Sequence, residues 1–501
     1  MIKNINKFFQ IIFLVIFLIV NFVVLFNHVK TNVSISFLFN NNILVLIGIF
    51  LLLIVFFLLK KIKGKFSDKW IVIILSIIMF AFEIFITVNA LFRSGWDVSM
   101  IYDAAYSNIF DNYPKVSYTA LKGYFERCQN NTFLLLYEMF FAFIVRSIGK
   151  GPKTLSLILV FCNCIIFTIN GVMLYFCVKK ITNNQKLSLL SWIIYFLLVG
   201  TSSWFLVPYS DSVGLLFPML ILFVYVYFNK NIYFKTFLIA LISFVGYQVK
   251  PQVLIVFIAI VVFEFLRLFS KKITRNVLIK YLRKLIIVCL TYCLVGLPIF
   301  YVRNDVMKLN PNKNLGLTHF LMMGLNTETN GVWNGGDVSF SASFQNPKVR
   351  RQQNLKMLKK RIKELTALEL VKYERNKILI NFDDGTFYFG GEGSFYILSY
   401  YDGIKLNKFV TSFAYSTGEY YIYISSIRQA IWLVVLILML FSVWRKNNTV
   451  VNVVQLSLVG LFLFEMLFEA RSRYLFIYVP YFIILAVIGV DKILSRFKIN
   501  I

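Results

Sequence analysis

The sequence predicts an α-helical polytopic membrane protein of about twelve transmembrane helices, with an interfacial helix and a small α+β domain outside the bilayer. Three observations lead there. Of 501 residues, 59% are hydrophobic and only 15% are charged, an excess of apolar residues that a soluble globular chain does not carry. The apolar residues come in long, discrete runs, and Phe8–Phe26, Ile71–Ala90 and Leu285–Val302 each approach the ~20 residues that cross a hydrocarbon core. Basic clusters then fall between the runs, where the positive-inside bias puts them.

Taken in order, the expected spans are about 8–26, 43–59, 70–91, 154–178, 187–206, 213–228, 236–249, 251–268, 284–301, 428–444, 449–468 and 474–490. The first run lacks a small-residue cleavage site and further spans follow it, so it reads as a retained helix. The basic linkers are Lys60 to Lys65, Lys179-Lys180, Lys271-Lys272 through Arg283-Lys284, Arg445-Lys446, and the tail from Lys492 to Lys498. All of them fall in the cytoplasm, together with both termini, if the apolar run 131–148 lies along the outer surface and does not cross. Glu138, Arg146 and the following Gly149-Lys150-Gly151-Pro152-Lys153 suit such an in-plane helix with a wet side.

Four regions result. Residues 1–69 hold two N-terminal helices and a basic linker. Residues 70–302 form a transmembrane core whose first outer loop is 92–148. Residues 303–427 are too long for a plain connector and read as an external domain. Within it, Pro347–Lys377 reads as helix and Phe382–Tyr423, with its glycines and alternating aromatics, as strand or turn. Residues 428–501 hold the last spans and the basic tail.

The formal net charge of +29 would suggest nucleic acid in a soluble protein. Here the charge sits mostly in linkers without a base-stacking aromatic face, so a bilayer partner and no nucleic acid is expected. Cys162, Cys164, Cys177, Cys289 and Cys293 lie in expected spans and Cys128 alone in a loop, which implies no disulfide framework.

Polar residues gather just outside the spans. Arg93-Ser94-Gly95-Trp96-Asp97, with Tyr102, Asp103, Tyr106 and Asp111 behind it, places a carboxylate where it serves either as a general base or as part of an interfacial aromatic anchor. Tyr124-Phe125-Glu126-Arg127-Cys128-Gln129-Asn130-Asn131 either holds a sugar or phosphate or is a polar loop that caps a helix at Asn131 or Thr132. In the turn Pro208-Tyr209-Ser210-Asp211-Ser212, Asp211 or Ser212 reads locally as a helix cap. Lys250-Pro251-Gln252 breaks an apolar stretch, and its lysine either snorkels to headgroups or meets an anion such as a lipid phosphate. Glu469-Ala470-Arg471-Ser472-Arg473-Tyr474 puts two guanidinium groups before the last span, where they suit phosphate. The external region adds His319, Asn334-Gly335-Gly336-Asp337, Asp383-Asp384-Gly385-Thr386 and Gly391-Glu392-Gly393-Ser394. No second histidine or cysteine stands at metal-ligand spacing from His319, so no zinc site is expected, while a divalent cation between carboxylates stays open.

The ordered set resembles the GT-C superfamily of membrane glycosyltransferases, especially the bacterial family-39-like enzymes, from about Leu91 to the C-terminus. An Asp follows a span in Gly95-Trp96-Asp97, a Tyr-Phe-Glu-Arg segment and an in-plane helix come next, a second Asp stands at 211, and Glu-x-Arg-x-Arg-Tyr precedes the final span. Arg127-Cys128-Gln129 departs from the Lys-Pro-Pro of lipid A-modifying relatives, and two extra spans precede the first core span. The resemblance implies an inverting transfer of sugar from a polyprenyl-phosphate donor to a cell-envelope acceptor, such as teichoic acid or wall polysaccharide, on the outer face. Asp97 would be the base and Asp211 an orienting carboxylate. Arg127, Lys250, Arg471 and Arg473 would meet phosphate. Trp96, Tyr124, Glu126, Asn130, Asn131, Tyr209, His319, Asp384, Glu392, Glu469 and Tyr474 would surround the substrates. It also implies partner enzymes that make and flip the donor. No Gly-rich nucleotide cradle is present, which fits a lipid donor. A lipid-linked sugar flippase, which would place charges near the bilayer midplane and often show repeated halves, and a wall-polymer ligase or polymerase are the alternatives. Of the carboxylates inside expected spans, Glu83, Glu264 and Glu465, the last two lie near span ends, and no internal repeat is seen.

Overall fold

Eleven helices of the computed structural model are long and apolar enough to cross a membrane, among the described residues 2–27, 37–62, 66–107, 116–268, 274–400, 403–445 and 448–499. The basic positions 63, 65, 271, 272 and 446 and the candidate Asp111 lie outside the described residues.

The N-terminal half runs α1 (Ile2–Phe26), α2 (Asn41–Lys61), α3 (Asp68–Ala90), α4 (Trp96–Ser107), α5 (Val116–Arg127), α6 (Thr132–Ser147), α7 (Pro152–Thr182) and α8 (Gln185–Tyr195). The middle adds α9 (Ser210–Gly214), α10 (Leu216–Tyr227), α11 (Ile232–Val249), α12 (Leu254–Leu268) and α13 (Arg275–Tyr301). The expected crossing at 187–206 is the exception to the span list. Helix α8 gives way to a π turn at Phe196–Gly200 and a 3-10 turn at Ser203–Leu206. Its sequence Gly200-Thr201-Ser202-Ser203 explains the break: Thr201 turns its hydroxyl to the Leu197 carbonyl (2.8 Å), and Ser203 donates to Ala414 (2.8 Å).

Helix α6 is amphipathic as expected, with Phe140, Phe143 and Ile144 exposed and Leu134, Leu135, Ala142 and Val145 buried. Glu138 contradicts its expected wet position. It lies on the buried face against α4 and α7, where burial pushes its carboxyl well above the usual range, helped by the nearby Asp103.

The region 303–427 is helical and not α+β. It comprises α14 (Leu317–Gly324), α15 (Gly335–Ser343), α16 (Pro347–Glu364), α17 (Ala367–Phe382) and α18 (Lys405–Ala414). The expected helix 347–377 breaks at Thr366, which caps α17 in a reciprocal box with Glu369. The aromatics do alternate in burial, Phe387, Phe389 and Phe395 turning inward onto Trp204, Phe476 and Trp432 while Tyr388 and Tyr396 stay half-buried, but the backbone that carries them is turn and not strand. Phe387, Tyr388 and Ser394 hold φ of 56°, 60° and 54°, which no strand accepts. The one described sheet is a two-residue ladder between β1 (Phe92–Arg93) and β2 (Leu398–Ser399).

This region shares its core with the spans that follow, α19 (Tyr421–Leu438), α20 (Thr449–Leu467) and α21 (Val479–Arg496). The Trp432 indole donates to the Phe382 carbonyl (2.7 Å). Lys377 donates to the carbonyls of Gly324, Met466 and Phe468 at 2.7–2.8 Å, and burial pulls its pKa down to about 8. Helix α21 and the 3-10 turn before it run through the core, with Leu475–Ile488 buried throughout. The two N-terminal helices pack on the C-terminal spans: α1 buries Phe13, Phe17, Val20 and Val24, a helical stripe, against α20 and α17, while α2 lies along α19.

Four of the five basic linkers meet at one end of the bundle. Lys179 stands 3.4 Å from Asp68, Lys186 donates to the Lys60 carbonyl, and Arg445 reaches both Asp491 (3.3 Å) and the Ile181 carbonyl (2.8 Å). Ala90, Pro152, Ser210 and Asn41 mark the other end of the same helices.

Helix α2 approaches α19 so closely at Gly48 that an added Cβ would lie 2.2 Å from the Ala430 carbonyl oxygen. Gly48→Leu is expected to lower the thermal unfolding temperature in detergent, whereas Gly296→Ala, at a site with open space, is neutral or stabilising by up to about 1 kcal/mol.

Candidate active site

At the end away from the basic linkers, α3 stops at Ala90 and the chain turns through β1 into α4. Gly95 makes that turn: its amide donates to the Ser394 carbonyl (2.9 Å), and a Cβ there would sit 2.3 Å from the same oxygen. Trp96 follows with φ 45°, a strained conformation for an aromatic residue. Its indole donates to the Ser94 hydroxyl (2.7 Å) and its ring meets Tyr209 edge-on, 4.6 Å between centroids. Non-glycine residues at positive φ thus cluster around this corner, at Trp96, Phe387, Tyr388 and Ser394.

Asp97 is partly exposed and accepts a hydrogen bond from the Tyr209 hydroxyl (3.1 Å). Burial raises its pKa, partly offset by the Arg473 charge and by hydrogen bonds from Tyr209 and Tyr124. Tyr124 is itself fixed by Asn131 (2.6 Å), which Asn130 contacts at 3.1 Å. Asn131 stands at the cap position of α6, one of the two places the polar-loop reading gave for it, but its side chain makes no capping bond and orients a tyrosine instead.

The local reading of Asp211 as a cap is also corrected. Tyr209 occupies the cap position, and the Ser212 hydroxyl donates to Trp204 (2.6 Å). The Asp211 carboxylate is fully buried, with the Lys250 ammonium on one oxygen and Arg473 on the other (2.8 Å). Pro251 holds Lys250 extended and ends α11 at Val249, which turns the lysine inward. Lys250 consequently does not snorkel: it is buried, paired with a carboxylate, and packed 4.8 Å from the Tyr474 ring.

Arg473 binds Glu392 through Nε (2.9 Å) and is walled by the rings of Trp96, Tyr209 and Tyr474 at 5.0, 5.6 and 4.9 Å. Arg471 donates to the Tyr388 hydroxyl (2.8 Å) and lies near Glu469 (3.5 Å) and Glu392 (3.6 Å). Tyr474 donates to Glu469 (3.0 Å). Burial raises the Glu469 pKa against the pull of Arg471 and Arg473.

Four candidate site residues, Glu126, Arg127, His319 and Asp384, sit elsewhere, as does the Arg93–Asp103 pair. Glu126 pairs with Lys313 (2.7 Å), and Arg127 turns to solvent. His319 bonds Ser341 (2.8 Å) in a separate network, and burial holds its pKa down to about 4. Asp384 accepts from Thr386, from the Tyr388 amide and from Ser472 (2.9 Å), so it braces the loops that carry the site without lining it. Arg93 pairs with Asp103 behind α4.

Sequence reasoning missed Tyr388 and the partners Asn41 and Gln429 that brace the Asp383–Thr386 motif. Asn41 and Gln429 both donate to Asp383 (2.7 and 2.8 Å), burial pushes the Asp383 pKa up to about 7, and Gln429 accepts from the Gly385 amide (2.7 Å). Through it the start of α2 supports the Asp384–Ser472 contact. Nothing in the one-dimensional pattern pairs residues nearly four hundred positions apart. Among the described residues no three His, Cys, Asp or Glu side chains gather to hold a metal ion.

A family model described as conserved hypothetical integral membrane protein matches residues 1–494. The chain belongs to that family. The match takes in both N-terminal spans, so they are part of the architecture the family shares. No curated protein matches the chain.

Asp211 answers two buried cations, so removing one leaves charge uncompensated in the interior. Lys250→Met is expected to destabilise the protein by about 3 kcal/mol. The double variant with Asp211→Asn is expected to cost less than the sum of the two single changes, read by unfolding in detergent.

Proposed function

We propose that the chain is a membrane glycosyltransferase that moves a sugar from a polyprenyl-phosphate donor to a cell-envelope acceptor on the outer face, with inversion. The observation that carries this reading is Asp97. It accepts from tyrosine hydroxyls and has no ion pair among the described residues, while Asp211, Glu392 and Glu469 beside it all face cations. A carboxylate without a cationic partner, at a partly open corner and with a raised pKa, is suited to take a proton.

The reaction follows from these roles. An acceptor hydroxyl gives its proton to Asp97 as its oxygen attacks the anomeric carbon from the face opposite the phosphate. The carbon–oxygen bond to phosphate breaks, and the electron pair leaves on the polyprenyl phosphate. Arg473 and Arg471 offset the charge that grows there, and Lys250 sets Arg473 through their shared Asp211. The cations are already paired, so phosphate must displace a carboxylate. Glu392, which is partly exposed, is the partner that yields. The outward assignment rests on the basic linkers gathered at the opposite end.

A second reading has its own observation. Glu83 and Glu465 are fully buried in spans, and among the described residues neither carboxylate oxygen of either has a hydrogen-bond partner, as in proton-coupled transport of a lipid-linked sugar.

Transfer of radiolabelled sugar from a panel of polyprenyl-phosphate donors to isolated envelope acceptor separates the two. Asp97→Asn is expected to lower transfer about a hundredfold or more at equal expression, and Glu83→Gln to leave it near native. Full activity of Asp97→Asn removes Asp97 as base. Absence of transfer in native protein together with loss of donor flipping in Glu83→Gln favours the transporter. For the enzyme, the base acts as carboxylate, and burial raises its pKa. The rate is therefore expected to fall with falling pH at a higher pH than an ordinary Asp, near 3.9, would give.

A further inference from the structure

Helix α16 sorts its cations by face. Arg350 and Arg361 turn inward and are satisfied there. Arg350 donates to the carbonyls of Ser341, Asn314 and Phe344, and Arg361 binds Asp337 (2.6 Å) and the Met322 carbonyl (2.6 Å). Lys348, Arg351, Lys356, Lys359, Lys360 and Lys363 are exposed on the other side. Against them stands Glu364, 3.7 Å from Lys360. The last four lysines line an open trough of about 690 Å³ together with Gln352, Leu355 and Glu364. From Lys348 to Lys363 the charged ridge runs roughly 22 Å at the helical rise.

Both ends of this ridge are fastened to segments that frame the site. At one end Arg350 holds the Asn314 carbonyl, and the neighbouring Leu315 amide donates to the Arg127 carbonyl, three residues beyond Tyr124. At the other, Arg361 holds Met322 in α14. That helix ends on the Gly324 carbonyl, which shares the Lys377 ammonium with Met466 and Phe468, just before Glu469–Arg473. The ridge thus spans between the two polypeptide stretches that supply Tyr124 and the arginines.

The chemistry of the face selects its partner. A helix that binds a lipid surface needs an apolar side turned outward, and here the exposed large apolar residues of α16 are Val349 and Ile362 among the cations. Stacking on nucleic-acid bases needs aromatics, which α16 lacks. Lysines spread along a hydrophilic ridge match a flexible, water-borne chain of repeated phosphates.

We propose that this face of α16 docks the acceptor as a polyanion, a phosphodiester-linked glycopolymer, which makes the acceptor class anionic and not a neutral polysaccharide. The word acceptor rests on the glycosyltransferase reading; the binding is measured without turnover. Purified full-length protein in neutral detergent is titrated with fluorescent poly(glycerol phosphate) across a salt series. Binding is expected to weaken steeply with salt. It is also expected to be about tenfold weaker in Lys356→Gln/Lys359→Gln/Lys360→Gln/Lys363→Gln. Native-like binding is expected for Asp97→Asn and for the control Arg275→Gln/Lys280→Gln/Arg283→Gln on α13. The proposal is overturned if the quadruple variant binds like native or the control loses as much. Tighter binding of neutral dextran, phosphatidylglycerol vesicles or single-stranded DNA at equal concentration overturns it too. A quadruple variant that binds normally while Asp97→Asn abolishes transfer sinks the docking face alone. Docking through these lysines without transfer from any donor sinks the enzymatic reading alone.

Discussion

The buried Asp211 carboxylate, held by Lys250 on one side and Arg473 on the other, is the contact on which the site depends. It joins three pieces of chain that are far apart in sequence: the turn before α10, the break between α11 and α12, and the strip before α21. Desolvating three charges is costly unless each finds its partner, so the geometry of all three segments is tightly constrained. This cost falls at the same corner of the bundle as four non-glycine residues at positive φ.

Around that anchor the charges form a graded series. Asp211 is fully paired and sealed, Glu392 and Glu469 share Arg471 and Arg473 nearer the surface, and Asp97 relies on tyrosine hydroxyls. Counted formally, Lys250, Arg471 and Arg473 face four carboxylates. Burial raises the pKa of two of these four, Asp97 and Glu469. Aromatic walls from Trp96, Tyr209, Tyr388 and Tyr474 keep water from screening these pairs, and they offer flat, partly apolar faces of the kind a sugar ring packs on.

The scaffold explains why the N-terminal spans belong to the family's shared length. Helix α1 covers α17 and α20, and α2 lies close along α19 at Gly48 and delivers Asn41 to Asp383. From there hydrogen bonds run through Gln429, Gly385, Asp384 and Ser472 to the two arginines' own strip. The first two helices thus brace the side of the site opposite α4.

Much was legible in the sequence because hydrophobic runs and basic linkers are local signals. Eleven of the twelve expected spans, the helix at 132–147 and the helical stretch within 347–377 follow from period and length alone. Thirteen of the seventeen candidate site residues gather at one corner, since polar residues beside a span have few places to go. Local pattern failed where long-range pairing outbid it. Asp211 looked like a cap and became the centre of an ion cluster. Lys250, which locally could either snorkel or meet an anion, was folded inward by Pro251 onto a carboxylate. Glu138 looked wet and was buried, and the aromatics of 387–395 looked like a strand and became an inward plug. The sequence by itself determined the membrane class, the order of the helices and which stretches hold charge, because the bilayer rewards those features residue by residue. Which charge meets which was decided only by the tertiary structure, because a buried ion's energy depends on partners supplied by other segments.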